Sequence, residues 1–228
     1  MEQTEYGNGL TLAEATVLLC LDDKGWFGRS ENIVKFAIAA ALLYELFRLE
    51  RIVAGPEGIR VVKPEPTGDP LLDRALERIG SSTESRNITG WIQEIAYRKL
   101  KLRRRILAGL IRRKIIAKKE YRILRVFVFK KFPLLDSVVK WQIQDHLCQV
   151  ANGKEKPAGQ DLMLFSILHN CHSIRKNFRH LPGCHKTARK AREMVTFGEA
   201  PASQMLLISE LHEALARIIS ASDVTIHA

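Results

Sequence analysis

Nowhere does the chain supply the about 18 consecutive apolar residues that a membrane-crossing helix requires. The nearest approach, "IVKFAIAAALLYELF" over 33–47, is interrupted by Lys35 and Glu45. The opening "MEQTEYGNGL" is acidic and polar, so no secretory signal is expected. Residue 2 is Glu and the last four residues read "TIHA", so no lipidation motif is expected either. Cysteine is sparse. Cys20, Cys148, Cys171 and Cys184 show no framework spacing, which fits reduced thiols of a cytosolic protein better than disulfides.

Chemistry-bearing motifs are missing as well. The sequence has no GxxxxGK[ST], no HExxH, no GxSxG and no GxGxxG after a strand. No enzyme activity and no cofactor are therefore expected. "HNCHSIRKNFRHLPGCH" (169–185) gathers His169, Cys171, His172, His180, Cys184 and His185. It lacks a CxxC pair and puts Cys171 off the helix face of His169 and His172, so no metal site is expected. Asp22, Asp23, Asp69 and Asp73 read as turn and cap residues rather than as acid/base pairs.

What is present begins with a core: hydrophobic residues make up 46% of 228 positions. The net charge is +11, and it is local. Eleven of the 36 Lys and Arg fall in "RKLKLRRRILAGLIRRKIIAKKE" (98–120). From Arg98 to Lys131 there are fifteen, against one acid, Glu120, so this window carries +14 and the remainder −3. A one-sided basic surface calls for a polyanionic partner: anionic lipid, a nucleic-acid backbone or an acidic protein.

The pattern of elements is mainly helical. Thr11 with Glu14 three residues on is a capping box for a helix over 10–23. The segment from about Asn32 to Leu49 is apolar nearly all round, as a central buried helix would be. "RIVAGPEGIRVVK" (51–63) predicts a hairpin. Asp69 and Pro70 predict the start of the next helix. Two more helices follow, with a break near Lys99 to Leu102, and then β-formers over 121–133. Helices are expected at 136–151, 160–178, 184–197 and 202–221. "LLYELFRLERIVA" and "ILAGLIRRKIIA" echo one another, each a helix, a basic turn and a strand, as in a winged helix.

Within the basic segment, Arg98, Lys101, Arg105 and Arg112 share a helical face, opposite the stripe Ile106, Leu107, Leu110 and Ile111. Arg103 projects over that stripe, at a helix end or into a pocket. Val126 to Phe129 put bulk on both faces of a strand, so one face can pack on the domain and the other needs cover from a partner, a second copy or lipid.

Six segments appear in order: "LTLAEATVLLCLDDKGW", "ALLYELFRLERI", "PTGDPLLDRALERI", "WIQEI", "RRRILAGLIRRKII" and "KKFPLLD". Together they resemble the Golgi phosphoprotein 3 family from about Leu10 to beyond Ala216, "PTGDPLLDRAL" being the most specific. The resemblance implies a mainly α single domain over 1–228: a helical bundle ringed by amphipathic helices, with a flexible stretch at 1–9 and a protruding hairpin at 121–132. It implies binding of phosphatidylinositol 4-phosphate on Golgi membranes, as eukaryotic members do, and tethering of glycosyltransferases to coats. It also implies self-association through the hairpin, here Val126, Phe127, Val128 and Phe129.

The family's lipid pocket carries over in part. Its Trp and Arg positions fall at Ser30 and Ala39, with Trp26, Arg29 and Lys35 close by. Of its two later basic residues, the second is Arg103 and the first falls at Leu100, between Lys99 and Lys101. The basic coat-binding extension of eukaryotic members has no counterpart, which fits a bacterial or divergent member. The expectation is a cytoplasmic peripheral membrane protein (at the Golgi only in a eukaryote) and a homo-oligomer. Its partner would be anionic phospholipid, phosphatidylinositol 4-phosphate among the headgroups. The contacts would be Arg103, Lys99, Lys101 and Arg104, with Arg29, Lys35 and Trp26. A winged-helix-like nucleic-acid binder and a helical protein-interaction scaffold remain the alternatives, and client proteins are unspecified.

Overall fold

The computed structural model describes residues 6, 9–27, 33–55, 57–97, 101–123, 127–181, 184–197 and 202–224. Among these the chain is mainly helical, with ten helices and two separate antiparallel hairpins. The first helix, α1 (Leu12–Cys20), starts at the expected capping box: Thr11 Oγ1 accepts from the Glu14 amide and Glu14 Oε2 from the Thr11 amide, both at 3.2 Å. The next, α2 (Val34–Arg48), is the central helix, with Val34 and every residue from Phe36 to Leu46 buried. A helix apolar on all sides has no face for water, so other helices enclose it.

The first hairpin pairs β1 (Ile52–Gly55) with β2 (Gly58–Val61), Ile52 opposite Val61. Then comes α3 (Pro70–Gly80), where the Asp69 carboxylate accepts from the amides of Leu71 and Leu72 and Pro70 fills the first helical position. It buries one stripe: Leu72, Ala75, Leu76 and Ile79. Two amphipathic helices follow, α4 (Ile88–Tyr97) and α5 (Leu102–Arg112), which bury Trp91, Ile92 and Ile95, and Leu102, Ile106, Leu107 and Leu110. The second hairpin pairs β3 (Lys119–Ile123) with β4 (Phe127–Lys131), Tyr121 opposite Phe129. The C-terminal half comprises α6 (Ser137–Ala151), α7 (Gly159–Asn170), α8 (Ile174–Phe178), α9 (Cys184–Phe197) and α10 (Ala202–Val224). The core is the sandwich of α1, α2 and α7, with α4 and α10 packed around it.

The echo between the two halves is present as one device used twice. At the end of α2, the Glu50 amide donates to Phe47 O and the Arg51 amide to Leu46 O, both at 2.9 Å. At the end of α5, Lys114 and Ile115 do the same to Ile111 and Leu110, both at 3.0 Å. Glu50 and Lys114 both take left-handed backbones, φ 53° and 57°, closing each helix with a doubled carbonyl cap and throwing the chain into a hairpin.

Two expectations fail, for one reason. The 160–178 segment is two helices, because His172 turns left-handed at φ 52° and caps α7 in the same way. The four-residue face from Arg98 to Arg112 does not form, because Lys101 is left-handed (φ 52°, ψ 35°) and lies just outside α5. Arg105 and Arg112 remain on α5, while Arg98 lies outside the described residues. The turn and cap readings hold for Asp22 and Asp69, whereas the Asp23 carboxylate pairs with Arg179 and His180. Asp22 accepts from the Lys24 and Trp26 amides, and Asp73 from the amide and hydroxyl of Thr67.

Candidate functional site

The chain leaves α1 through a tight turn. The Asp22 carboxylate accepts from the Trp26 amide at 2.8 Å, and the Asp22 amide donates to the Trp26 carbonyl at 2.8 Å. Gly25 has φ +80°, and its carbonyl accepts from the Phe132 amide at 2.8 Å. A Cβ built on Gly25 would overlap the backbone of Phe132 and Pro133. Only glycine meets both demands. The turn therefore lies directly against the exit of the second hairpin.

That contact brings the aromatics together. Trp26 meets Phe129 edge-on, ring centroids 6.4 Å apart, and Phe27 packs on Phe132 at 6.2 Å. Lys131 Nζ lies 4.8 Å over the Trp26 ring and 4.6 Å over Tyr121. Tyr121 and Phe129, opposite each other in the hairpin, are each 43% exposed.

Two cations join from neighbouring helices. Arg103, in the first turn of α5, holds its guanidinium 5.3 Å over the Phe27 ring. Lys35, in the first turn of α2, sets its ammonium 4.0 Å over Tyr97 and 4.9 Å over Phe36. Burial, and then the charge of nearby Arg103, hold the Lys35 ammonium below its usual range. Like charges in one region raise each other's cost, and an arriving anion relieves it. Each cation is attracted by its ring face.

Trp26, Lys35, Arg103 and Phe129 thus meet in one region. Lys101 and Arg104 are exposed at the start of α5. Lys99, Arg29 and Val126 lie outside the described residues, as do the side chains of Phe127 and Val128. Sequence reasoning missed Phe27, Tyr97 and Tyr121, which back the cations. It also missed an exposed apolar row just past the hairpin, Leu135, Val138 and Trp141, spaced three apart in sequence. Not all of the basic window is available. Arg113 pairs with Glu14 at 3.1 Å and donates to Gly9 O, and Lys118 pairs with Glu120 at 2.7 Å. Two open concavities lie between the first hairpin and α10, around Ala54, Ile52, Glu210 and Leu207, and none of the expected site residues lines them. Among the described residues no three His, Cys, Asp or Glu gather as metal ligands.

Fold and site together define a helical domain with a cationic, aromatic-backed face, and none of its described helices is long and apolar enough to cross a membrane. The family model of Golgi phosphoprotein 3 (GPP34) matches residues 12–217, and the chain belongs to that family. Membership points to lipid binding in general.

The junction predicts a graded response. Gly153 also has a positive φ, +74°, but a Cβ there meets nothing within 4 Å. Gly153→Ala should therefore cost only the backbone strain, about 1 kcal/mol, whereas Gly25→Ala should cost at least about twice that. Thermal unfolding of the two variants checks this. Equal losses would mean that the approach to Phe132 carries no weight.

Proposed function

We propose that this protein is a peripheral membrane protein that binds anionic phospholipid, phosphatidylinositol 4-phosphate among the headgroups it accepts. The observation that carries the reading is that Lys35 and Arg103, in the first turns of α2 and α5, each lie over an aromatic ring face. Their site is a cation cluster beside wet aromatics, which suits the bilayer interface, where phosphate oxygens meet the rims of Trp and Tyr. Exposed Tyr97, Tyr121 and Phe129, with Leu135, Val138 and Trp141 beyond, offer apolar surface for shallow seating. Arg103 contacts a phosphate, and Lys35, Lys101 and Arg104 add charge around it. The family match supports the same class of ligand.

Nucleic acid is disfavoured by α2. In a winged helix the helix before the hairpin reads a groove, but here it is buried along nearly its whole length.

Each basic side chain near an anionic bilayer contributes about 1 kcal/mol, roughly fivefold in affinity. Co-sedimentation at physiological salt should therefore show pelleting with vesicles containing phosphatidylinositol 4-phosphate or phosphatidylserine, and little with phosphatidylcholine alone. Lys35→Ala with Arg103→Ala should weaken it roughly 25-fold. Equal pelleting with neutral and anionic vesicles would remove the proposal.

The hairpin supports a second element of this reading, association between copies through Val126 to Phe129. The exposed Tyr121–Phe129 pair is apolar surface that a second copy would cover. Phe127→Asp with Phe129→Asp should give smaller particles in light scattering while leaving the helical circular dichroism unchanged. An unaltered size in the folded variant would retire self-association.

A further inference from the structure

The 152–158 loop between α6 and α7 is exposed along most of its length and carries Lys154, Glu155 and Lys156. Its backbone is held at both edges. The Gly153 and Lys154 amides donate to Val150 O and Gln149 O, both at 3.0 Å, which continues the end of α6. The Ala158 amide donates to Asp161 Oδ2 at 2.9 Å, which starts α7. Between those edges Glu155 reaches back to α6, where its Oε2 lies 2.8 Å from His146 Nδ1.

The other ring nitrogen faces a second carboxylate. His146 Nε2 lies 3.0 Å from Asp161 Oδ1, in the first turn of α7. An ionised carboxylate only accepts, so both contacts are hydrogen bonds only when both ring nitrogens carry a proton. The geometry therefore selects the imidazolium. The two carboxylates differ in their surroundings. Asp161 is 1% exposed and has two further donors, the Ala158 amide and, at 3.0 Å, the Tyr6 hydroxyl. The Glu155 side chain is 44% exposed and stands in water. The bond to Asp161, with the charges of Asp161 and Glu155, holds the His146 proton above its usual range against the effect of burial. Tyr44 and Glu45 of α2 lie near the Tyr6–Asp161 bond, and on α6 itself Asp145 is engaged by Gln149. The other elements packed on α6 meet it at different positions: α1 at Lys140 through Leu21 O, α8 at Gln144 through Asn177, and α9 at Cys148 through Thr187.

We propose that His146 is a pH-operated clip: as an imidazolium it fastens the 152–158 loop to α7, and loss of its proton lets the loop go. A neutral imidazole has one N–H. It stays on Nε2, because Asp161 is buried and Glu155 has water to turn to. The bare Nδ1 lone pair then faces the Glu155 carboxylate, and two acceptors repel. Asp161 keeps Tyr6, Ala158 and His146, so the N-terminal segment at Tyr6 and the start of α7 stay in place while Glu155 departs. The clip is complete below the ordinary histidine value of about 6.5 and is lost as pH rises through the raised one.

The test uses the full chain with its histidine rings labelled with carbon-13, followed by NMR between about pH 5 and 9. Amide exchange is measured over the same range and divided by the intrinsic base-catalysed rate. His146 should titrate above the ordinary histidine value, and the Lys154 amide, next to Glu155, should lose protection with the same midpoint. Glu155→Gln should lower that midpoint and weaken the pH dependence at Lys154. His146→Gln should leave Lys154 exchanging at every pH as the unaltered protein does at high pH. A His146 midpoint at or below the ordinary value would overturn the proposal. So would a midpoint that Glu155→Gln does not move, or Lys154 protection that stays constant through it. Because the titration is read in the unaltered protein and Glu155 is a surface side chain, a His146 variant that fails to fold does not obscure the result.

Discussion

The amide of Phe132 donates to the carbonyl of Gly25 across a gap that admits no Cβ, and the candidate site follows from that approach. It sets the turn after α1 against the exit of the second hairpin, so that Trp26 and Phe27 become a floor shared by two distant pieces of chain. Arg103 then has a ring to lie on, and Lys131 spans Trp26 and Tyr121. Aromatic faces thus carry cations at this junction. Arg113, at the C-terminal end of α5, pairs with Glu14 instead.

The same turn is tied from its other side. Asp22 closes it, while Lys140, Lys176 and Asn177 clamp the carbonyls of Leu19 to Leu21 immediately before it. The position of Trp26 is thereby coupled to the C-terminal half through one short segment. A buried lysine costs desolvation, and a helix C-terminus returns part of that cost. This gives a physical reason for charged side chains in a core otherwise filled by α1, α2 and α7.

Much of the fold was legible because its signals are local. Thr11 with Glu14, Asp69 with Pro70, and the unbroken apolar run of α2 each act within a few residues, and each formed as read. The break near Lys99 to Leu102 was legible and falls at Lys101, whereas the break at His172 was not. Glu50, Lys101, Lys114 and His172 give no sequence sign of that conformation, and tertiary packing carries the strain. This is why 160–178 read as one helix and why Lys101 was placed on a helical face. For the site, the basic window and Arg103 were visible as composition and position. The stacking of Lys35 on Tyr97 and the loss of Arg113 to a partner 99 positions away depend on contacts far apart in the chain. Spacing within a helix does not encode them.

Hydrogen exchange on the full chain, with and without anionic vesicles, tests the central claim most directly. The account predicts slowed exchange over 22–27, over the first turns of α2 and α5, and over 119–131, with α9 and α10 unchanged. Slowing centred instead on β1, β2 and α10, with the Gly25–Phe132 junction exchanging as before, would contradict it.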